Sequence, residues 1–139
     1  MAYDRNNIFA KILRGEIPAC KVYEDAHVLA FMDAMPQSDG HTLVIPKTEA
    51  ENLFELPPAA LATLIQAVQK IAAAMRTALQ PDGLTVMQFN GAAAGQTVFH
   101  IHFHLVPRYA GQPLRSHARE MADRALLAAQ AEKIKAALG

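Results

Sequence analysis

Cysteine is nearly absent from this chain: Cys20 is the only one in 139 residues. A single thiol excludes an internal disulfide framework and any Cys-x-x-Cys pair for zinc or redox work. It suits a reducing compartment. Net charge is absent too, because thirteen Lys and Arg residues offset thirteen Asp and Glu. A chain without a basic surplus does not read as a general nucleic-acid binder, although local donors could still hold a small anion. No apolar run approaches the ~20 residues that span a bilayer, since Gln, Lys, Arg and Thr interrupt the alanine-rich stretches. The opening residues, MAYDRNN, lack the apolar run of a signal peptide. There is no internal repeat and no linker. The expectation is one soluble cytoplasmic domain over 1–139, with no membrane and no nucleic acid among its partners. At 52% apolar residues it has enough to bury a core without staples.

What is present divides into short elements. Asn7 can cap a helix whose apolar residues are Ile8, Phe9, Ile12 and Leu13, with Gly15 as its stop. Two strands follow, Cys20 to Tyr23 and His27 to Asp33, joined tightly by Glu24, Asp25 and Ala26. The turn-rich MPQSDG leads to a third strand, His41 to Ile45. Pro57 and Pro58 open a long helix with an apolar stripe through Leu61, Leu64, Ile65, Val68, Ile71, Met75 and Leu79. Two more strands are expected, Leu84 to Asn90 and Thr97 to Val106, around a flexible GAAAG loop. A weakly defined C-terminal helix runs from Arg119 to Leu138. Short connections imply antiparallel pairing. The fold class is therefore α+β, with helices on one face of a sheet and a ligand or partner on the other.

One strand carries chemistry. Val98 to Arg108 reads VFHIHFHLVPR, so His100, His102 and His104 alternate with Phe99, Ile101, Phe103 and Leu105. Successive side chains of a strand point to opposite faces, which puts three imidazoles on one face and core on the other. Three readings compete. The bland one is a half-buried strand whose polar face happens to be histidine. The second is a zinc site, for which no nearby Cys or carboxylate pair completes the ligand set. The third is nucleophilic and acid–base work by imidazoles that are largely neutral at pH 7. The Gly91–Gly95 loop favours the third, because its backbone N–H groups can approach an anion closely, and Gln96 and Thr97 add neutral donors.

At these residues the chain resembles the histidine triad family of nucleotide hydrolases and transferases. The motif is His100-Ile101-His102-Phe103-His104-Leu105-Val106, extended upstream by AGQTV at 94–98. Two further blocks match: GHTLVIPK at 40–47, and Ile8-Phe9 with Lys11-Ile12 and Glu16-Ile17-Pro18. The similarity covers about 7–109, leaving the tail and helix over 110–139 without diagnostic content.

The resemblance implies a five-stranded antiparallel sheet, doubled to ten strands across a homodimer. It implies that His102 is the nucleophile taking a nucleotidyl group from the α-phosphate, with His100 and His104 as supporting flankers and His41 as the fourth histidine. It implies Gln96 and Thr97 at the phosphate or leaving group, Asp33 at the ribose hydroxyls, and a base pocket of Ile8, Phe9, Ile17, Phe31 and Leu43. Without the resemblance, Asp33 could equally cap its turn, His41 could be structural, and Asn90 could end its strand or contact phosphate. His27 and His117 read as surface residues. Zinc-binding relatives carry cysteines where Asn7 and Ala10 stand here, so no structural zinc is expected. No cofactor is required, and a divalent cation is compatible with polyphosphate substrates. The implied function is cleavage of adenosine or other purine 5′-phosphoramidates to an AMP-type product through a nucleotidyl-histidine. Dinucleoside polyphosphate hydrolysis is the alternative within the family, and a non-catalytic nucleotide-binding module is the alternative of another class.

Overall fold

In the computed structural model, which describes residues 2–115 and 121–139, the chain begins with a short helix α1 (Ile8–Leu13). The Asn7 side chain caps it by accepting from Ala10 N at 2.9 Å. Gly15, at φ 78°, turns the chain away. Strands β1 (Lys21–Glu24), β2 (Val28–Met32) and β3 (Thr42–Pro46) follow. The β1–β2 connection is tight because Asp25 Oδ1 accepts from both His27 N and Val28 N. Helix α2 (Pro58–Leu79) starts at a proline, where a missing N–H costs nothing, and ends at Gln80 in the left-handed region. Strand β4 (Gly83–Met87), a single 3-10 turn over Ala92–Ala94, strand β5 (Phe103–Arg108) and helix α3 (Arg124–Leu138) complete the described elements.

The five strands form one antiparallel sheet in the order β1-β2-β3-β5-β4. Its two faces bury separate cores. Val28, Ala30, Met32, Val44 and Leu105 pack beneath α2 and α3. Leu29, Phe31, Leu43 and Ile45 pack beneath α1. Every residue of β2 and β3 is buried, as expected of strands covered on both sides. By length and composition α2 could cross a membrane. Here its stripe of Leu64, Val68, Ile71 and Met75 is spent on the sheet instead.

Several expectations change. Helices cover both faces, because α1 packs opposite α2 and α3. The last strand begins at Phe103 rather than Thr97, since β3 pairing ends at Val44–Phe103 and β4 pairing ends at Met87–His104. Upstream of that point the backbone leaves the ladder, and Ile101 N donates to Ala50 O instead. The C-terminal helix begins at Arg124 with Asp123 as its cap. His27 is exposed, whereas His117 lies outside the described residues.

Candidate active site

Strand register builds the site. The pairs Phe31–Leu43, Leu43–His104 and Met87–His104 place these four side chains in one row across β2, β3, β5 and β4. Asp33 and His41 continue the same face just beyond the strand ends, joined by Asp33 N donating to His41 O at 2.9 Å. Only His104 of the three alternating histidines sits in the ladder. His100 and His102 stand in the irregular stretch before it, and all three are buried.

The partners of each ring determine where its proton sits. Gln37 N–H points at His41 Nδ1, 3.0 Å away, so that atom accepts and the His41 proton is on Nε2. Nε2–H then donates to His104 Nδ1 at 3.0 Å, with Asp33 Oδ2 at 3.5 Å. The His104 proton is therefore on Nε2. His102 is set the opposite way. Its Nδ1–H donates to the carbonyl of His100 at 2.7 Å, and the lone pair is therefore on Nε2. Phe9 and His104 hold this ring edge-on, with centroids 4.8 and 4.9 Å away.

His100 is completely enclosed. Its Nε2–H donates to Pro46 O at 2.8 Å, and its Nδ1 faces the Tyr3 hydroxyl. Burial, with His102 nearby, pulls its pKa down to about 4 despite the Pro46 hydrogen bond. It is neutral at physiological pH.

A cavity of about 510 Å³ opens over the sheet row. Ile8, Phe9, Ile17, Phe31 and Leu43 form its apolar wall, and Asp33, Thr97, His102 and His104 bring polar groups to it. His41 and His100 lie behind this lining. Asp33 Oδ1 caps the turn by accepting from Met35 N at 2.8 Å, and the residue also lines the cavity.

Gln96 and Asn90 are placed differently. The Gln96 amide donates to Glu51 O at 2.6 Å and to Val98 O at 3.0 Å, and its oxygen accepts from Gly91 N at 2.7 Å. It braces the loop rather than meeting a phosphate. Asn90 accepts from Leu53 N at 2.8 Å and exchanges hydrogen bonds with Gln88. The glycine loop is a formed turn, not an open cradle. Its Ala94, Gly95 and Gln96 N–H groups are spent on Gly91 O and Ala92 O.

Sequence reasoning missed the tail. Met121, Ala122, Arg124 and Leu127 line the cavity, with Ala122 N donating to Ala34 O at 2.9 Å beside Asp33. The only sequence signal was the stripe of Leu127, Ala131 and Ile134, now buried in α3.

Asp33, His41 and His104 also bring one ligand atom each within 4.8 Å of one another. As arranged they do not fit a metal ion. The Gln37 N–H on Nδ1 obliges His41 to carry its proton on Nε2, the atom facing the other two residues. His41 and His104 form a hydrogen-bonded pair, with the Asp33 carboxylate 3.5 Å from His41 Nε2.

Residues 14–111 match the HIT domain family. The chain is 52% identical to "Protein hit" of Bacillus subtilis over 104 residues, 75% of this chain and 72% of that one. It is 40% identical over 120 residues to "Adenylylsulfatase HINT3" of Arabidopsis thaliana, covering 82% of this chain and 61% of the relative. Its structure superposes on a crystal structure of a Hit-like protein involved in cell-cycle regulation from Bartonella henselae. The TM-score is 0.94 at 53% identity, over 99% of both chains.

Proposed function

This chain belongs to the HIT-domain family, and from that premise we propose that it cleaves the substituent from the α-phosphate of a purine nucleoside 5′-phosphate. Phosphoramidates are the favoured substrates. The supporting observation is the proton placement on His102. With Nδ1–H tied to the His100 carbonyl, Nε2 is the basic atom, and the ring borders the cavity. Nε2 attacks the α-phosphorus in line. A P–N bond forms as the bond to the leaving group breaks, and the departing amine takes the electron pair of that bond and a proton from solvent water. The imidazole gains positive charge in this step, so its hydrogen bond to the His100 carbonyl strengthens in the transition state. His104 Nε2–H serves a non-bridging oxygen of the phosphoryl group. Thr97 offers a hydroxyl on the leaving-group side. Water then attacks the nucleotidyl-histidine and releases the nucleoside monophosphate. Splitting one displacement into two is the gain of covalent catalysis.

The apolar wall suits a purine. Asp33, which lines the same cavity, is assigned to the ribose hydroxyls. The same chemistry would serve an adenylyl sulfate or a dinucleoside polyphosphate, which differ only in the leaving group. A divalent cation would accompany the polyphosphate alone. The protein works as a homodimer in a reducing, cytoplasmic compartment.

The test is His102→Ala assayed on adenosine 5′-phosphoramidate, adenylyl sulfate and diadenosine polyphosphate. Turnover should fall roughly a thousandfold or more, with AMP affinity within a few fold of wild type. Wild-type protein quenched during turnover should carry a nucleotidyl adduct on His102. AMP binding without adduct or turnover would make the domain a nucleotide-binding module.

A further inference from the structure

Of the three triad imidazoles, His100 alone is not part of the cavity lining. The residue that closes over it, Tyr3, lies before the 14–111 segment that matches the family. The Tyr3 hydroxyl is hydrogen-bonded to His100 Nδ1, and the two rings meet edge-on with centroids 5.6 Å apart. The direction of the bond follows from the other side of the ring. The Pro46 carbonyl can only accept, so His100 Nε2 carries the proton and Nδ1 accepts from Tyr3. Burial raises the pKa of the phenol, which keeps its proton.

The segment bearing Tyr3 is tied down independently of that bond. Arg5 pairs with Glu49 at 3.1 Å, and the Arg5 carbonyl accepts from Arg14 Nη1 at 2.7 Å. Asn7 N donates to Asp4 O at 3.2 Å just before the α1 cap. Chain ends are ordered only where such ties exist.

These contacts form a series. Tyr3 O–H donates to His100 Nδ1, His100 Nε2–H donates to Pro46 O, and the His100 carbonyl accepts from His102 Nδ1–H. Residues 98–102 lie outside the sheet ladder, so strand pairing does not hold the His100 backbone. The His100 ring, clamped at both nitrogens, does so together with Ile101 N, which donates to Ala50 O at 2.9 Å. We infer that Tyr3 is a positioning residue for the nucleophile: by clamping His100 it holds the carbonyl that keeps the His102 lone pair on Nε2. This rests on the reading of His102 as nucleophile.

Tyr3→Phe removes one oxygen and leaves the ring. The loss of a neutral hydrogen bond should lower kcat on adenosine 5′-phosphoramidate roughly threefold to tenfold, with KM changed by less than about twofold. The ¹⁵N spectrum of histidine-labelled protein should show His100 Nδ1 moving towards a nitrogen without a donor. It should also show His102 losing its single Nδ1–H tautomer. Arg5→Ala loosens the same segment without touching His100, and its kcat should stay at wild-type level. An unchanged His100 signal in Tyr3→Phe would show that the bond is not made. A shifted His100 signal with unchanged kcat and an unchanged His102 tautomer would show that it positions nothing. Equal loss in Arg5→Ala would assign the effect to the segment rather than the hydroxyl. If wild type hydrolyses no substrate, the functional reading fails on its own, and the His102 tautomer in Tyr3→Phe still decides the coupling.

Discussion

His100 and His102 are two residues apart, yet one is enclosed and the other borders the cavity. Their partners make the difference: a carbonyl and a phenol for the first, a carbonyl and two ring edges for the second. The enclosure of His100 has a consequence for stability. The unfolded chain takes up this proton near the ordinary value of 6.5, the folded chain only near 4. Between those values the unfolded state binds more protons, so stability falls as pH falls through that window and is unaffected by this group above it. The full loss is about 3 kcal/mol, at 1.36 kcal/mol per pKa unit. An NMR titration of the folded protein should place the His100 transition near 4. Denaturant midpoints should drop between pH 7.5 and 4.5, and drop less in His100→Asn. A His100 titration near 6.5 would remove this account.

Elements bring these residues together by register. Asp33 and His41 flank the β2–β3 connection, and the turn between them includes Gly40 at φ 92°. That conformation is open to glycine and strained for other residues. A Cβ there would also overlap the Leu79 side chain at the end of α2 and lie 3.3 Å from Pro107 Cγ in β5. Gly40→Ala should therefore cost roughly 2–4 kcal/mol from backbone strain and overpacking together. It should also weaken turnover, because His41 is the next residue. Urea denaturation measures the first effect, and a loss below about 0.5 kcal/mol would mean that the turn relaxes freely.

On the scale of the whole molecule the sheet has two unlike edges. On β1, Lys21 and Glu24 are exposed, and a register irregularity lies between Lys21 and Tyr23. Charges and bulges discourage edge pairing. Strand β4 reads GLTVM, has no charge, and exposes Val86 at 47%. Helix α2 exposes Ile65 at 44%. A homodimer is therefore predicted to join β4 to β4 about a two-fold axis, which would give ten strands. Sedimentation should give about twice the 15.1 kDa chain mass. Val86→Lys should shift the protein towards monomer by destabilising that edge. A wild-type monomer at micromolar concentration, or a dimer indifferent to Val86→Lys, would rule out this edge.

Periodicity and turn chemistry are local properties, and they were readable directly. Asn7 as a cap, Pro57–Pro58 opening a long helix, and the antiparallel β2 and β3 strands all follow from neighbouring residues. So did the grouping of Ile8, Phe9, Ile17, Phe31, Asp33, Leu43, Thr97, His102 and His104 around one cavity, through motif resemblance and strand parity. Contacts between distant segments were not readable. Alternation placed the three histidines on one face of a single strand. Where β5 begins depends on its neighbours β3 and β4, and that boundary separates His104 from His100 and His102. Gln96 looked like a phosphate donor, but its amide is consumed by Glu51 O, 45 residues away in sequence. Tyr3 joined the site with no local signal, and the 121–127 stretch with none beyond the Leu127, Ala131 and Ile134 stripe, because their placement is decided by packing and hydrogen bonding across the chain. Local spacing thus identified the residue types of the site, and only tertiary hydrogen bonds decided which nitrogen of His100 and of His104 carries the proton.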